Sequence, residues 1–383
     1  MINILYLHAG AEMYGSDKVL LQLVTKLNKK KFRPIVLLPE HGILENKLKE
    51  NNVKVSIIPY PILRREYLTF HGILNYIFNY FKYGFRLKKY VQDKNIDLIH
   101  INTIAVLEGV FLKLFTTVPV VWHIHEILTN PKFIYRLTSY LVGKFSDIVI
   151  AISNATKENL VNSGFVPESK VKIVYNGIDL SQNLQVTNLR NHLNIKKTDI
   201  VIGHVGRINA WKGQNDFLEA SIPVMIRHPN VHILFSGNPY KGQEWREKNL
   251  LNRINALHDL KTRIHYLGYE KRIDKVFETI DIFVSCSTRP EPFSLVTIEA
   301  MKHYKPVIAY DQGGPSEIIR NGYSGILVPF LNVNSLSEAI ESLVNDPNKV
   351  VLYGINSRRI IKNNFSEVTF VKNIEIIYDR MIS

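Results

Sequence analysis

Short apolar, β-prone runs alternating with stretches of helical periodicity constrain this chain most, and the alternation runs through it twice. Asn3–His8, Arg33–Leu38, Val53–Ile58, Asp97–Ile101, Val118–Ile124 and Asp147–Ile150 read as strands in the first half. Ile200–Val205, Val231–Phe235, Arg263–Tyr266, Ile282–Ser285, Pro306–Ala309 and Gly325–Val328 read as strands in the second. Between them lie helical patterns such as Asp17–Leu27, with apolar Val19, Leu20, Leu23, Val24 and Leu27, and others around Gln214–Ile226, Lys248–Leu257, Ile273–Ile280, Leu295–His303 and Ser335–Val344. Strands spaced by helices imply βαβ units, hence parallel sheets with helices on both faces. At 383 residues the chain exceeds a comfortable single core, so two such domains are expected.

The turn sequence Asn176-Gly177-Ile178-Asp179 ends the first half, and the polar stretch 181–199 reads as a linker into the second. Two Rossmann-like domains facing each other across a cleft are the architecture this pattern favours. A last helical periodicity runs through Phe370, Ile374, Ile377 and Met381.

The segment Arg289–Met301 carries the most chemistry. The apolar strand before it suits a buried parallel strand. Pro290 and Pro292 force an extended turn around Glu291, and Ser294 can cap the helix that follows. Such a unit aims free N–H groups and a positive dipole end above the sheet, which favours phosphate. Glu291 stands beside that anion site, and Glu299 lies where a carboxylate could hold the two hydroxyls of a ribose. A solvated loop glutamate and a helix-surface glutamate are the plainer alternative.

Two further loops follow strands in the second half. In Gly203-His-Val-Gly-Arg-Ile-Asn-Ala-Trp-Lys-Gly213, Gly206 allows close backbone approach, and Arg207 and Lys212 place two cations on one βα loop. A planar fork plus a point charge suits a diphosphate. The loop is neither a Walker loop nor a dinucleotide fingerprint. Asp311-Gln-Gly-Gly-Pro-Ser-Glu317 has two glycines at a strand end, where backbone can approach a ligand, and Glu317 is read as opening the next helix.

Charge narrows the partners. With 48 Lys and Arg against 34 Asp and Glu, the net charge is +14. An excess of this kind predicts an anionic partner: membrane surface, phosphorylated substrate or nucleic acid. Nucleic acid is the weakest of these, since there is neither zinc spacing nor an RNA-binding aromatic signature. The excess concentrates in Arg64–Lys94, with seven Lys and Arg, two acids and nine aromatics. As a helix, this segment would present Ile73, Ile77, Tyr80, Phe81 and Leu87 on one face, with Lys82, Arg86 and Lys89 elsewhere. Basic-aromatic helices bind anionic membrane interfaces, and the rival reading packs that face on the domain's own sheet. No run approaches the roughly 18 apolar residues of a span. The first residues read as a strand rather than a leader, and the one cysteine, Cys286, reads as a packed core thiol in a cytoplasmic chain.

Glu291 and Glu299, framing Pro-Phe-Ser-Leu-Val-Thr-Ile, resemble the signature of retaining, GT-B-fold glycosyltransferases of the family-4-like kind. The Arg207–Lys212 loop and the Gly313-Gly314 loop are similar to the same family's elements, as is the Gly15 loop, although Tyr14-Gly15 stands where many members show Gly-Gly. Tyr304 likewise stands near where members commonly carry Gly before Lys-Pro. The resemblance covers nearly the whole chain.

It implies domains at 1–180, completed by a C-terminal helix of about 366–383 that crosses back, and at 181–365. The donor, a UDP- or GDP-linked sugar, would meet Gly15, Gly206, Arg207, Lys212, the backbone near Tyr269 and Glu270, Glu291, Phe293, Ser294, Leu295 and Glu299. Arg207 and Lys212 would take the diphosphate, while Glu291 and His125 would orient the transferred sugar. The family needs no metal or other cofactor. His123 and His125 point the same way under strict alternation, so a metal pair is conceivable, but no third ligand is evident. The acceptor would be a growing, possibly lipid-linked glycan of a surface polysaccharide, worked on at the inner face of the cell membrane. A nucleotide-sugar epimerase of the same fold is the alternative, and a basic nucleic-acid-binding protein is the alternative of another class.

Overall fold

The computed structural model describes residues 1–64, 67, 69–181 and 188–382; residues 65, 66 and 68 of the basic-aromatic segment and 182–187 of the expected linker lie outside them. It divides into two units, Met1–Gly177 with Glu367–Ser383, and Ile178–Ser366.

The first unit is built on strands β1 (Ile2–Leu7), β2 (Phe32–Leu38), β3 (Lys54–Ile57), β4 (Leu98–Ile101), β5 (Val120–Ile124), β6 (Ile148–Ala151) and β7 (Val171–Ile173). They form one parallel sheet in the order β3-β2-β1-β4-β5-β6-β7. The second unit contains β8 (Ile200–Val205), β9 (Val231–Ser236), β10 (Ile264–Tyr266), β11 (Ile282–Ser285), β12 (Val307–Tyr310) and β13 (Gly325–Val328), in the parallel order β10-β9-β8-β11-β12-β13. Both are Rossmann-like doubly wound sheets. Their strands are buried on both faces because right-handed crossovers put helices on each side. In each sheet the winding direction reverses once, between β1 and β4 and between β8 and β11. A crevice opens at such a reversal above the carboxyl ends of the strands, and ligands of open α/β sheets bind there.

Several details depart from the sequence reading. β7 is an additional edge strand, only three residues long with Lys172 exposed at its centre, too short and polar to register as a strand. The helix Pro347–Asn364 is likewise additional. Its start is plain in retrospect: Asp346 accepts from the Lys349 N–H at 2.9 Å, and Pro347 occupies the first turn. Gly313–Ile318 is a short helix beginning at the glycines, so Glu317 sits in its last turn instead of opening it.

The C-terminal helix Glu367–Ile382 belongs to the first unit, where it buries Phe370, Val371, Ile374, Ile377 and Tyr378. The Tyr378 hydroxyl lies 2.9 Å from that of Tyr6 and 2.8 Å from His100 Nδ1. Tyr304 has φ +59°, the left-handed conformation that favours glycine, and its carbonyl lies so close to Gly354 that a Cβ there would meet it at 2.1 Å.

The basic-aromatic segment forms the long helix Phe70–Asp93, capped by Thr69, whose hydroxyl accepts from the Gly72 N–H. The face it buries is not the expected one. Gly84, Leu87 and Val91 pack inward, whereas Ile73, Ile77 and Phe81 are about half exposed. The inward stripe is set by Gly84, where a Cβ would lie 2.7 Å from the Phe111 ring. No helix among the described residues is long and apolar enough to cross a membrane.

Candidate functional site

In the second unit, the loops after β8 and β11 leave the sheet on either side of the reversal and are stitched together. Asn209 Oδ1 accepts from the N–H groups of Trp211 and Lys212 at 3.0 and 2.9 Å, folding the β8 loop back on itself. Gly213 takes φ +81° and presses against the β11 chain, where a Cβ would meet the Cys286 carbonyl at 1.9 Å. The Thr288 N–H donates to the Trp211 carbonyl at 2.7 Å, and the buried Cys286 thiol to the Gly213 carbonyl at 3.2 Å.

This stitching brings Lys212 to Glu291. Lys212 Nζ lies 2.7 Å from Glu291 Oε1, which also accepts from the Ser287 hydroxyl. Burial pushes the Glu291 carboxyl up, but the Lys212 charge and the bonds from Lys212, Ser287 and Ser294 outweigh it and hold the group below its ordinary value. Glu291 is 7% exposed and is therefore a buried, ionised group, not a solvated loop residue.

A third loop backs the second. The Gly314 N–H donates to the Glu291 carbonyl at 2.8 Å, and Gln312 Nε2 donates to the Ser287 carbonyl. Cβ atoms at Gly313 and Gly314 would come within 2.6 Å of the Glu291 carbonyl and 2.7 Å of Phe293 Cα. The backbone these glycines approach is thus the Glu291 loop itself, where the sequence reading had them approach a ligand. Gly206, in contrast, meets side chains and no backbone: the Lys212 stem lies 3.5 Å and His204 Nε2 3.9 Å from where its Cβ would stand.

The remaining second-unit residues are spread along the same carboxyl edge. Arg207 is half-buried with its guanidinium carbon 4.0 Å from the Tyr240 ring centre, a cation–π contact. Ser294 occupies the cap position of the helix Leu295–Lys302, but its side chain makes no cap bond; its hydroxyl accepts from Thr297 Oγ1 at 2.9 Å and bonds Glu291. The helix start therefore keeps its amide groups unbonded by the expected cap. Leu295 and Glu299 lie half-buried on that helix. The Phe293 ring faces inward, 5.9 Å from that of Phe365. Tyr269, 71% exposed, and Glu270, which accepts from the Arg272 N–H, follow β10 beyond the left-handed Gly268.

His204, at the end of β8, carried no role in the sequence reading. Its Nδ1–H donates to the Val284 carbonyl at 3.0 Å, which leaves Nε2 as an acceptor, buried and without a partner among the described residues. Nε2 stands 3.9 Å from the Cβ position of Gly206. Burial pushes this imidazole down to about 4, so it is neutral.

The first unit has its own polar cluster at the β1/β4 reversal. His8 follows β1, Asn102 follows β4 and His125 follows β5. Asp17 Oδ1 lies 2.5 Å from His8 Nε2, and Asn102 Nδ2 donates to His8 Nδ1 at 3.1 Å. Asn102 Oδ1 in turn accepts from His125 Nε2 at 3.3 Å, which leaves His125 Nδ1 as an acceptor. Burial, then the neighbouring histidines, push His125 down to about 3. Glu126 does not hold the imidazole; its carboxylate accepts from the His125 N–H at 3.1 Å and from the Thr103 hydroxyl. Gly15 is exposed at the start of the helix Gly15–Lys26. Asp17, expected to open that helix, is instead buried at its third position, tied to His8 and to the Tyr14 N–H at 2.6 Å. His8, Asn102, Ser287 and His204 were legible only as polar residues at or just past strand ends, and Asp17 only as the acid opening a helix. Among the described residues, no group of three or more His, Cys, Asp or Glu side chains is arranged to hold a metal ion.

Known proteins share this fold. Residues 13–182 match the family model described as Glycosyltransferase Family 4, and residues 185–365 match Glycosyl transferases group 1. The Bacillus subtilis spore coat protein SA is 27% identical over a match spanning 61% of this chain and 64% of that protein. An Escherichia coli α-1,3-galactosyltransferase, named for UDP-Gal and an α-D-GlcNAc-diphosphoundecaprenol acceptor, is 24% identical over 77% of this chain and 78% of its own. The crystal structure of Anabaena HepE with UDP superimposes with a TM-score of 0.85 at 25% identity, covering 99% of this chain and all of the other. The chain belongs to the GT-B-fold glycosyltransferases whose two halves these family models describe.

Proposed function

We propose that this glycosyltransferase is retaining and moves a hexose from a UDP- or GDP-linked sugar to a growing, lipid-linked glycan, without a metal or other cofactor. The observation that carries the reading is the ion pair of half-buried Lys212 with buried Glu291 at the β8/β11 reversal, 2.7 Å apart, beside Arg207 and a helix start. Arg207, Lys212 and the amides opening the Leu295–Lys302 helix stabilise charge growing on the departing diphosphate. Lys212 then serves two anions, the phosphate and Glu291. Glu291 stays ionised, accepts from hydroxyls of the transferred sugar and offsets positive charge at its anomeric carbon. The acceptor attacks from the face the diphosphate leaves, and the leaving phosphate takes the acceptor's proton, so no covalent sugar–Glu291 bond forms. Glu299 holds the ribose, and the backbone at Tyr269 and Glu270 meets the base. Neutral His125, through Nδ1, accepts from a sugar hydroxyl.

The UDP complex of the Anabaena protein and the diphosphoundecaprenol acceptor named for the E. coli enzyme support the donor and acceptor classes. For the acceptor, a hollow of about 280 Å³ in the first unit is walled by Tyr60, Tyr67 and Tyr83, with Glu40, Arg64 and Asn79 as polar groups. Aromatic walls with a few polar groups suit a sugar ring. Work on a lipid-linked acceptor sets the enzyme at the inner face of the cell membrane.

The test is a thermal-shift screen of nucleotide sugars, followed by measurement of nucleotide release with and without undecaprenyl-diphosphate-linked sugars. The fitting donor raises the unfolding temperature, Glu299→Ala weakens its binding by roughly 1.5–3 kcal/mol, and nucleotide release depends on acceptor. Unchanged donor affinity in Glu299→Ala removes that residue from the site, and release without acceptor at the full rate overturns transfer.

A further inference from the structure

We infer that the outer face of the Phe70–Asp93 helix, together with the end of its neighbour Glu108–Phe115, is a docking surface for an anionic lipid bilayer, lying flat in the interface. Leu74, Phe78, Phe81 and Phe85 recur at positions i, i+4, i+7 and i+11, so they share one stripe of the helix. Their exposures are 52, 66, 49 and 57%. The inward side is already occupied by Gly84, Leu87 and Val91, so this second apolar stripe has no sheet left to cover it. The adjoining helix extends the patch. The Phe85 ring is 5.1 Å from that of buried Phe111 and 6.2 Å from that of Phe115, and Leu114 is 61% exposed. A continuous aromatic patch of this kind marks an interaction site.

Charge decides what covers it. The Lys82 amine lies 5.9 Å from the Phe78 ring centre, and the Lys88 amine 5.8 Å from that of Phe115. Arg86 and Lys89 are exposed beside them, and the next helix, Lys132–Phe145, adds Lys132, Arg136 and Lys144 with no acid in its sequence. Of the two acids in the first two helices, Glu108 is fully buried and Asp93 lies at the far end. A second copy would bring one ring of cations against another, whereas an anionic bilayer neutralises them as it takes the aromatics. With four cations in the helix it lies in the interface instead of crossing.

The surface is independent of the transfer reaction, and its test contains no donor. The chain is sedimented with vesicles of phosphatidylglycerol mixed with phosphatidylcholine, and of phosphatidylcholine alone. Wild type partitions to the anionic vesicles and less so as salt rises. Lys82→Gln/Arg86→Gln lowers that partitioning roughly 30-fold, and Phe78→Ser/Phe85→Ser lowers it about tenfold or more. Lys82→Gln/Arg86→Gln keeps the wild-type unfolding temperature because these side chains face solvent, and Phe78→Ser/Phe85→Ser stays folded with a lower one as the Phe85 contacts to Phe111 and Phe115 are lost. Negligible binding to both vesicle types overturns the proposal. So does a concentration-dependent dimer that Phe78→Ser/Phe85→Ser dissociates, because that outcome gives the face to a second copy.

Discussion

At the scale of single residues, the site turns on one ion pair whose two members come from different loops. Lys212 is what keeps Glu291 charged in a place where burial alone would neutralise it. In wild type the Glu291 value is depressed on folding. That contribution to stability is present above the unfolded value near 4.5 and is lost as pH falls through the folded one. Lys212→Ala removes the opposing charge, desolvation then dominates, and the carboxyl rises above 4.5. The slope from this residue reverses, so that stability falls as pH climbs from about 4.5. At pH 7 the variant should lose roughly 3–5 kcal/mol, the cost of stranding a buried charge. Denaturant unfolding at pH 4.5 and 7 checks this, and parallel losses at both pH values would show that Glu291 does not feel Lys212. Turnover should also fall, on the order of 10²-fold, if Lys212 meets transition-state charge. The members of this pair were visible in the sequence because cations on a βα loop and a glutamate between prolines are unusual local chemistry. Their contact was not, since 79 positions separate them. Nor could composition show that Ser294 would turn from its helix to Glu291, because capping is the commoner use of a serine there.

At the scale of elements, strongly apolar strands were legible almost to the residue, since a parallel strand buried on both faces has few polar positions to blur it. The edge strand β7 and the polar Pro347–Asn364 helix lacked that signal. The Phe70–Asp93 helix was legible as a helix but not in orientation, because apolar residues on two sides leave periodicity with two solutions. Glu108 shows what an element end can hide. It opens the helix Glu108–Phe115, is fully buried, and neither carboxylate oxygen finds a partner among the described residues. Burial pushes it up to about 8, so at neutral pH it is protonated. A raised acid holds in the folded state a proton the unfolded chain has released, so stability falls as pH rises from 4.5 to 8 and is level above. Buried His100, His123 and His125, all pushed down, oppose this by favouring the unfolded chain below about 6.5. Glu108→Gln separates the two effects. The variant should gain on wild type between pH 5 and pH 9, by up to about 5 kcal/mol. Unfolding temperatures of both proteins across that range give the difference, and a constant difference would mean Glu108 is already ionised at pH 5.

For the whole molecule, the same topological device occurs twice, and each occurrence gathers polar side chains that the apolar pattern cannot explain. At β1/β4 these are His8, Asp17, Asn102 and His125; at β8/β11 they are His204, Lys212, Ser287 and Glu291. The alternation of strands and helices made both sheets readable, but strand order is set by crossover handedness and not by any local residue, so the two reversals had to be seen. The chemistry differs between them. The first cluster links imidazole and amide groups, neutral His125 among them, to the Asp17 carboxylate and suits hydroxyls, and the second holds a cation beside an ionised glutamate and suits a diphosphate. Nucleotide without its sugar should therefore engage the second cluster alone. Hydrogen exchange with UDP and with GDP at about a hundredfold the dissociation constant should slow the amides of 206–213, 286–299 and 312–317, by up to the equivalent of about 2.7 kcal/mol. Amides near His8, Asn102 and His125 should keep their rates until the full nucleotide sugar is supplied. Protection appearing first at the histidine cluster would reverse this division of labour and move the diphosphate to the first unit.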